Sequence, residues 1–172
     1  MPRLFHFSED PSIALFRPHI ARTSVERVPL VWAVDETHAP GFWFPRNCPR
    51  ACCWVGEQRP SEAGAALLGL GGARRLHAIE SGWLDRLRTC ELYAYEFDPA
   101  PFRSQVHEAG YWAAQEDVEP LSVTPVGDLL ARHVDAAIEL RIVNDLWPII
   151  DAIVASGLEF SIIRKANAHP RQ

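Results

Sequence analysis

The chain has 172 residues and a mass of 19.3 kDa, the size of one domain or of one domain with an appendage. Hydrophobic residues make up 48% and charged residues 23%, which excludes disorder over most of the length, and no apolar run reaches the ~18 residues a membrane helix needs. The net charge of −5 and the pI near 5.8 argue against a dedicated nucleic-acid binder, whose affinity rests on phosphate neutralisation by Lys and Arg.

The N-terminus reaches Glu9 and Asp10 without the apolar run of a signal peptide, so the expected location is cytoplasmic, with no membrane partner. Arg3 to Phe7 reads as a short strand, and Pro11 to Phe16 as one helical turn ended by Pro18. Leu30 to Val34 is continuously apolar and predicts a buried strand. Asp35 is a good N-cap for a helix that Pro40 and Gly41 weaken and Pro45 stops. Ala51 to Val55 is a second buried strand. Residues 56–72 are rich in small and polar residues and read as a mobile loop holding a weak helix.

Arg74 to Glu80 predicts a strand, and Ser81 a cap for a helix over 82–90 with Trp83, Leu84 and Leu87 on one face. Glu91 to Phe97 alternates Leu92, Ala94 and Glu96 against Tyr93, Tyr95 and Phe97, the pattern of a strand. Residues 100–110 read as an irregular loop. Strands follow at 111–114 and 120–123, a helix at 126–134 and a strand at 138–143. Asn144 is expected to cap a helix over 145–156, where Pro148 is tolerated in the first turn and Gly157 follows as the C′ residue. A short strand at 160–163 precedes a polar tail, 166–172. Strands that dominate two thirds of the chain without regular helix alternation favour an α+β fold in a single domain spanning 1–172.

Three constellations carry polar chemistry. His6 and Ser8 alternate onto one face of the first strand, where they are placed to hold a ribose hydroxyl or simply to end the strand and cap a turn. Trp32, with Phe42, Trp43 and Phe44, offers either a ring-stacking pocket or ordinary core. Gln115, Glu116, Asp117 and Glu119 precede the apolar run 121–123. A carboxylate there can orient a hydroxyl or stabilise a developing cation, or belong to a solvated loop.

Adjacent Cys52 and Cys53 fit a reducing compartment, and in an apolar strand their thiols should be inert. The spacing Cys48-x3-Cys52-Cys53 is not that of a zinc site, so no metal is expected. No P-loop, G-x-G-x-x-G, G-x-S-x-G or H-E-x-x-H occurs. The six tryptophans and eight phenylalanines leave room for a homodimer patch.

Taken in order, LFHFS with its acidic-Pro turn, LVWAVDETHAPGFWF, and ELYAYEFDP followed by YWAAQEDVEPLSVTPV resemble the ADP-ribosyltransferase-like superfamily, nearest in pattern to the small rifamycin ADP-ribosyltransferases. HFSEDPSI, WAVDETHAP, FPRNCPR and LEFSIIRKANA also resemble an uncharacterised bacterial domain family over nearly the whole chain.

The superfamily resemblance implies split, mostly antiparallel β-sheets around an NAD-binding cleft. It implies NAD as substrate, with His6 on the adenosine ribose, Ser8 on the nicotinamide ribose and Trp32 or Phe44 stacked on nicotinamide. Arg46 or Arg50 would hold the pyrophosphate. Glu119, with Glu116 as the alternative, would stabilise the ribosyl cation. Phe7 stands where that superfamily has glycine, and Trp32 where tyrosine is common. The function expected is ADP-ribosyl transfer to a small molecule or macromolecule. The alternative is non-catalytic binding of a small ligand or partner on the same scaffold.

Overall fold

A computed structural model describes residues 1–20, 28–106 and 109–171. The strands are β1 (Leu4–Ser8), β2 (Val31–Asp35), β3 (Arg50–Trp54), β4 (Arg75–Glu80), β5 (Tyr93–Phe97), β6 (Arg103–Val106), β7 (Tyr111–Ala114), β8 (Ser122–Pro125), β9 (Glu139–Val143) and β10 (Glu159–Ile163). The α-helices are α1 (Glu62–Leu68), α2 (Leu84–Thr89), α3 (Leu129–Asp135) and α4 (Trp147–Ala155). The fold is α+β, with two mostly antiparallel sheets. Among the described residues no helix is long and apolar enough to cross a membrane.

The chain packs into two compact units, each made of two separate stretches: 1–43 with 91–126, and 44–90 with 127–172. The first unit is a six-stranded antiparallel sheet in the order β6-β7-β2-β1-β5-β8. Strand alternation puts Leu4, Val31, Ala33, Tyr95, Phe97 and Ala114 on one face, where they form a core with Phe102 and Val118. Phe16 closes that face, with its ring about 5 Å from those of Tyr95 and Phe97. The opposite face carries Phe5, Phe7, Trp32 and Tyr111, which Phe42 joins through a ring stacked on Phe7 and set edge-on to Tyr111.

The second unit is a four-stranded sheet in the order β10-β3-β4-β9, with only the β4–β9 pair parallel. One face (Ala51, Cys53, Leu76, Ala78) packs on Leu68 of α1 and on Leu146, Ile150, Ile153 and Leu158 of the α4 region. Register and alternation put Arg50, Cys52 and His77 on the other face.

Several local expectations are corrected. The segment 11–16 forms no helical turn; instead Phe16 pairs with Val118 through two backbone hydrogen bonds of 2.9 Å. After Asp35 only a single 3-10 turn forms, Ala39–Phe42, because Pro40 has no amide to donate and Gly41 favours no helix. Part of the expected irregular loop at 100–110 is β6, paired to β7, while residues 107 and 108 of that loop lie outside the described residues.

The strand expected at 120–123 is shifted by two residues, to β8 at Ser122–Pro125. Asp145, not Asn144, supplies the side-chain oxygen that accepts the Trp147 amide at the start of α4. Ser81 opens a 3-10 turn instead of capping α2. The weak helix expected within residues 56–72 is present as α1, capped by Ser61 Oγ on the Gly64 amide. The polar tail is described to residue 171, and Gln172 lies outside the described residues.

Candidate functional site

β1 and β5 pair over five positions, but β1 and β2 pair over only two, Leu4 with Asp35 and Phe5 with Val34. Where that ladder ends, His6 Nδ1 lies 3.0 Å from the Trp32 carbonyl oxygen. A carbonyl only accepts, so Nδ1 carries the proton. The His6 ring packs 5.0 Å from Phe16 on the core face. Ser8 is 2% exposed, and its Oγ accepts the Asp10 amide at 3.1 Å. It therefore caps the turn that follows β1. The Trp32 indole projects from the opposite face and meets Tyr111 edge-on at 6.3 Å.

An open cleft of about 640 Å³ lies in the first unit, lined by Val28, Leu30, Ala100, Pro101, Arg103, Gln105, Ala113, Gln115 and Glu116. The β6–β7 register explains it. Arg103 faces Ala113, two-residue alternation puts Gln115 on that same side, and a register shift between Ser104 and Val106 accompanies Gln105 in the lining. Ala113 and Leu30 are buried and make an apolar floor. Small Ala113 leaves the hollow that a larger side chain would fill. Arg103 Nη1 donates to the carbonyls of Ala100 (2.9 Å) and Phe102 (2.8 Å), which pins the guanidinium in place. Of the two acids singled out from the sequence, Glu116 lines this cleft; Glu119 is exposed between Val118 and Pro120, outside the strands.

At the end of β2, Asp35 Oδ1 accepts both the His38 amide (2.9 Å) and His38 Nδ1 (2.7 Å). The pair is mostly covered, with side chains 15% and 13% exposed. Gly110 packs directly on it: a Cβ there would lie 2.2 Å from His38 Nδ1, and the residue has φ +67°. Asp35 therefore fixes the His38 ring as an Nδ1–H donor.

The remaining two candidates belong to the second unit. Phe44 is 1% exposed, with the Arg50 guanidinium 5.3 Å from its ring centre and the rings of His77 and His133 against it. Arg46 is exposed, whereas Arg50 is 4% exposed and donates from Nη1 to the Cys48 carbonyl at 3.0 Å. Beside them His77 Nδ1 lies 3.1 Å from His133 Nε2, and His133 Nδ1 lies 2.7 Å from the Leu129 carbonyl. Among the described residues His77 Nε2 is buried with no hydrogen-bond partner. Burial is the main force lowering the pKa of both rings. For His77, repulsion from His133, Arg75 and Arg50 adds to it.

The thiols are inert by the same physics. Burial pushes Cys48 and Cys52 up to about 12 and Cys53 up to about 11. Among the described residues no three His, Cys, Asp or Glu side chains converge to hold a metal ion.

The structure thus groups Glu116 with Arg103, Gln105 and Gln115 and keeps His6 with Ser8. His6 and Trp32 meet only through a side chain and a backbone carbonyl, since their side chains leave the sheet on opposite faces. Arg103 and Gln105 carried a readable sign, a polar i, i+2 pair. It was masked because all four residues of β6 are exposed and no apolar alternation marks the strand.

The model of a family of unknown function, DUF6886, matches residues 5–168. No curated protein and no solved structure matches the chain.

Proposed function

The chain belongs to this family of unknown function, and we propose that its first unit binds a small polar molecule in the cleft between the β6–β7 edge and residues 28–30. One observation carries the reading: a hollow of about 640 Å³ with an apolar floor and four polar side chains converging on it. That volume is typical of small-ligand sites, and apolar floors with a few placed polar groups are their usual chemistry. The test is a thermal-shift and NMR screen of polar metabolites, NAD included, on the wild type and on Ala113→Phe, which fills the floor. Ligands of the cleft raise the Tm of the wild type and not of the variant. Equal stabilisation of both by every ligand counts against the cleft.

A second reading is NAD-dependent ADP-ribosyl transfer. It is supported by the early parting of β1 and β2, with His6 at the point of parting, and by the superfamily resemblance of the strands concerned. In this reading an ionised carboxylate, Glu116 or Glu119, stabilises the ribosyl cation as nicotinamide leaves, and an acceptor nucleophile closes the bond. Release of nicotinamide from NAD, abolished by Glu116→Gln or Glu119→Gln, supports it. Release that is absent, or unchanged in both variants, removes it.

A further inference from the structure

Resting on the reading of the cleft as a ligand site, we infer that its ligand is a zwitterion: an extended molecule with an anionic group at one end and an ammonium or guanidinium group at the other. Among the described residues the cleft walls carry one cation, Arg103, and one anion, Glu116. The two form no ion pair with each other, and among the described residues neither is neutralised by another side chain. Opposite charges on one open wall ordinarily collapse together unless something holds them apart. Here Arg103 is held by the carbonyls of Ala100 and Phe102, which engage Nη1 and leave the other edge of its fork for an incoming carboxylate.

The separation follows from the strand register. Arg103 faces Ala113, and Glu116 lies three residues further along the chain. At ~3.3 Å per extended residue, the Glu116 backbone lies roughly 7–10 Å along the chain from the Arg103–Ala113 pair, allowing for the bend after Ala114. Between the two charges the floor is apolar, formed by Leu30 and Ala113 with Pro101 alongside. A chain of methylenes fits that middle. Gln105 and Gln115 supply amide donors and acceptors. A dicarboxylate would satisfy Arg103 and meet repulsion at Glu116. A diamine would meet the reverse, so the site selects against both by charge.

The experiment uses the full chain labelled with ¹⁵N and three probes of matched length: ε-aminocaproate, adipate and hexamethylenediamine, with NAD and glucose alongside. The expected result is that ε-aminocaproate moves the amide signals of Gln105, Ala113 and Gln115, and the other two matched probes do not. Arg103→Gln and Glu116→Gln each weaken that binding by about tenfold or more, as loss of one charge-assisted hydrogen bond requires. Equal or tighter binding of adipate or hexamethylenediamine overturns the inference. Shifts at these signals with NAD or glucose but not with ε-aminocaproate overturn it too, while leaving the cleft as a ligand site. Silence at these signals with every probe removes both.

Discussion

His77 Nδ1 lies 3.1 Å from Nε2 of His133, and the Leu129 carbonyl on the other nitrogen of His133 sets the direction of that hydrogen bond. His133 spends its own Nδ1 proton on the Leu129 carbonyl, so its Nε2 is bare and accepts. His77 must then carry its proton on Nδ1, which leaves the buried Nε2 as an unprotonated acceptor. Both rings are neutral in the folded chain. The positive groups nearby, Arg50 and Arg75, oppose a second proton on His77.

Acid is therefore expected to destabilise the second unit. The folded pKa of each ring lies below its unfolded value, ordinarily near 6.5. Above that value both states are neutral and the rings contribute fully. As the pH falls below it, the unfolded chain takes up protons that the folded chain refuses, and stability drops by up to about 1.4 kcal/mol per pH unit for each ring. Urea midpoints measured from about pH 7.5 down to about pH 5 should fall, and in His77→Phe they should fall less steeply. An identical pH slope in that variant would show that the acid sensitivity lies elsewhere.

The cysteines should not react in the native state. With Cys48, Cys52 and Cys53 raised to about 11 or 12, almost no thiolate forms on those three at neutral pH, and Cys90 is shielded by burial. Titration with a thiol reagent at about pH 8 should yield no fast-reacting group, and four after denaturation. A fast native thiol would mean that the segment carrying it opens to solvent.

Gly110→Ala should cost about 2 kcal/mol or more. The new Cβ would sit on a residue with φ +67° and press on the Asp35–His38 pair, where backbone and ring are both fixed. Chemical denaturation measures the loss. Gly72→Ala is the control: it also has positive φ, but a Cβ there meets nothing within 4 Å, so its cost should be the smaller.

The cap of α3 is a single carboxylate. Asp128 Oδ1 accepts the amides of Leu130 (2.8 Å) and Ala131 (3.0 Å). Asp128→Ala should lose about 1 kcal/mol, and Asp128→Ser should recover most of it. Equal stability of the Ala and Ser variants would show that the cap contributes nothing.

What the sequence reveals follows the burial of each segment. β2 and β3 are buried and carry continuous apolar runs, Val31–Val34 and Ala51–Trp54, which were readable within a residue or so. β6 was unreadable because Arg103, Ser104, Gln105 and Val106 all face solvent and owe their strand state to pairing with β7. The cleft depends on that same pairing, so Arg103 and Gln105 were invisible as a site while Glu116 was named. His77 and His133 are 56 positions apart in sequence, and no local pattern announces that they share a hydrogen bond. His38 stood beside Asp35 in plain view, but only the fold shows how closely Gly110 lets the backbone approach the pair.

The way the two units share one polypeptide has a practical consequence. Residues 44–90 interrupt the first unit, and residues 91–126 interrupt the second. No contiguous gene fragment therefore encodes either one. Deletion series that shorten the chain from either end will strip residues from one unit while orphaning part of the other. Isolating the first unit requires joining residue 43 to residue 91 through a designed linker.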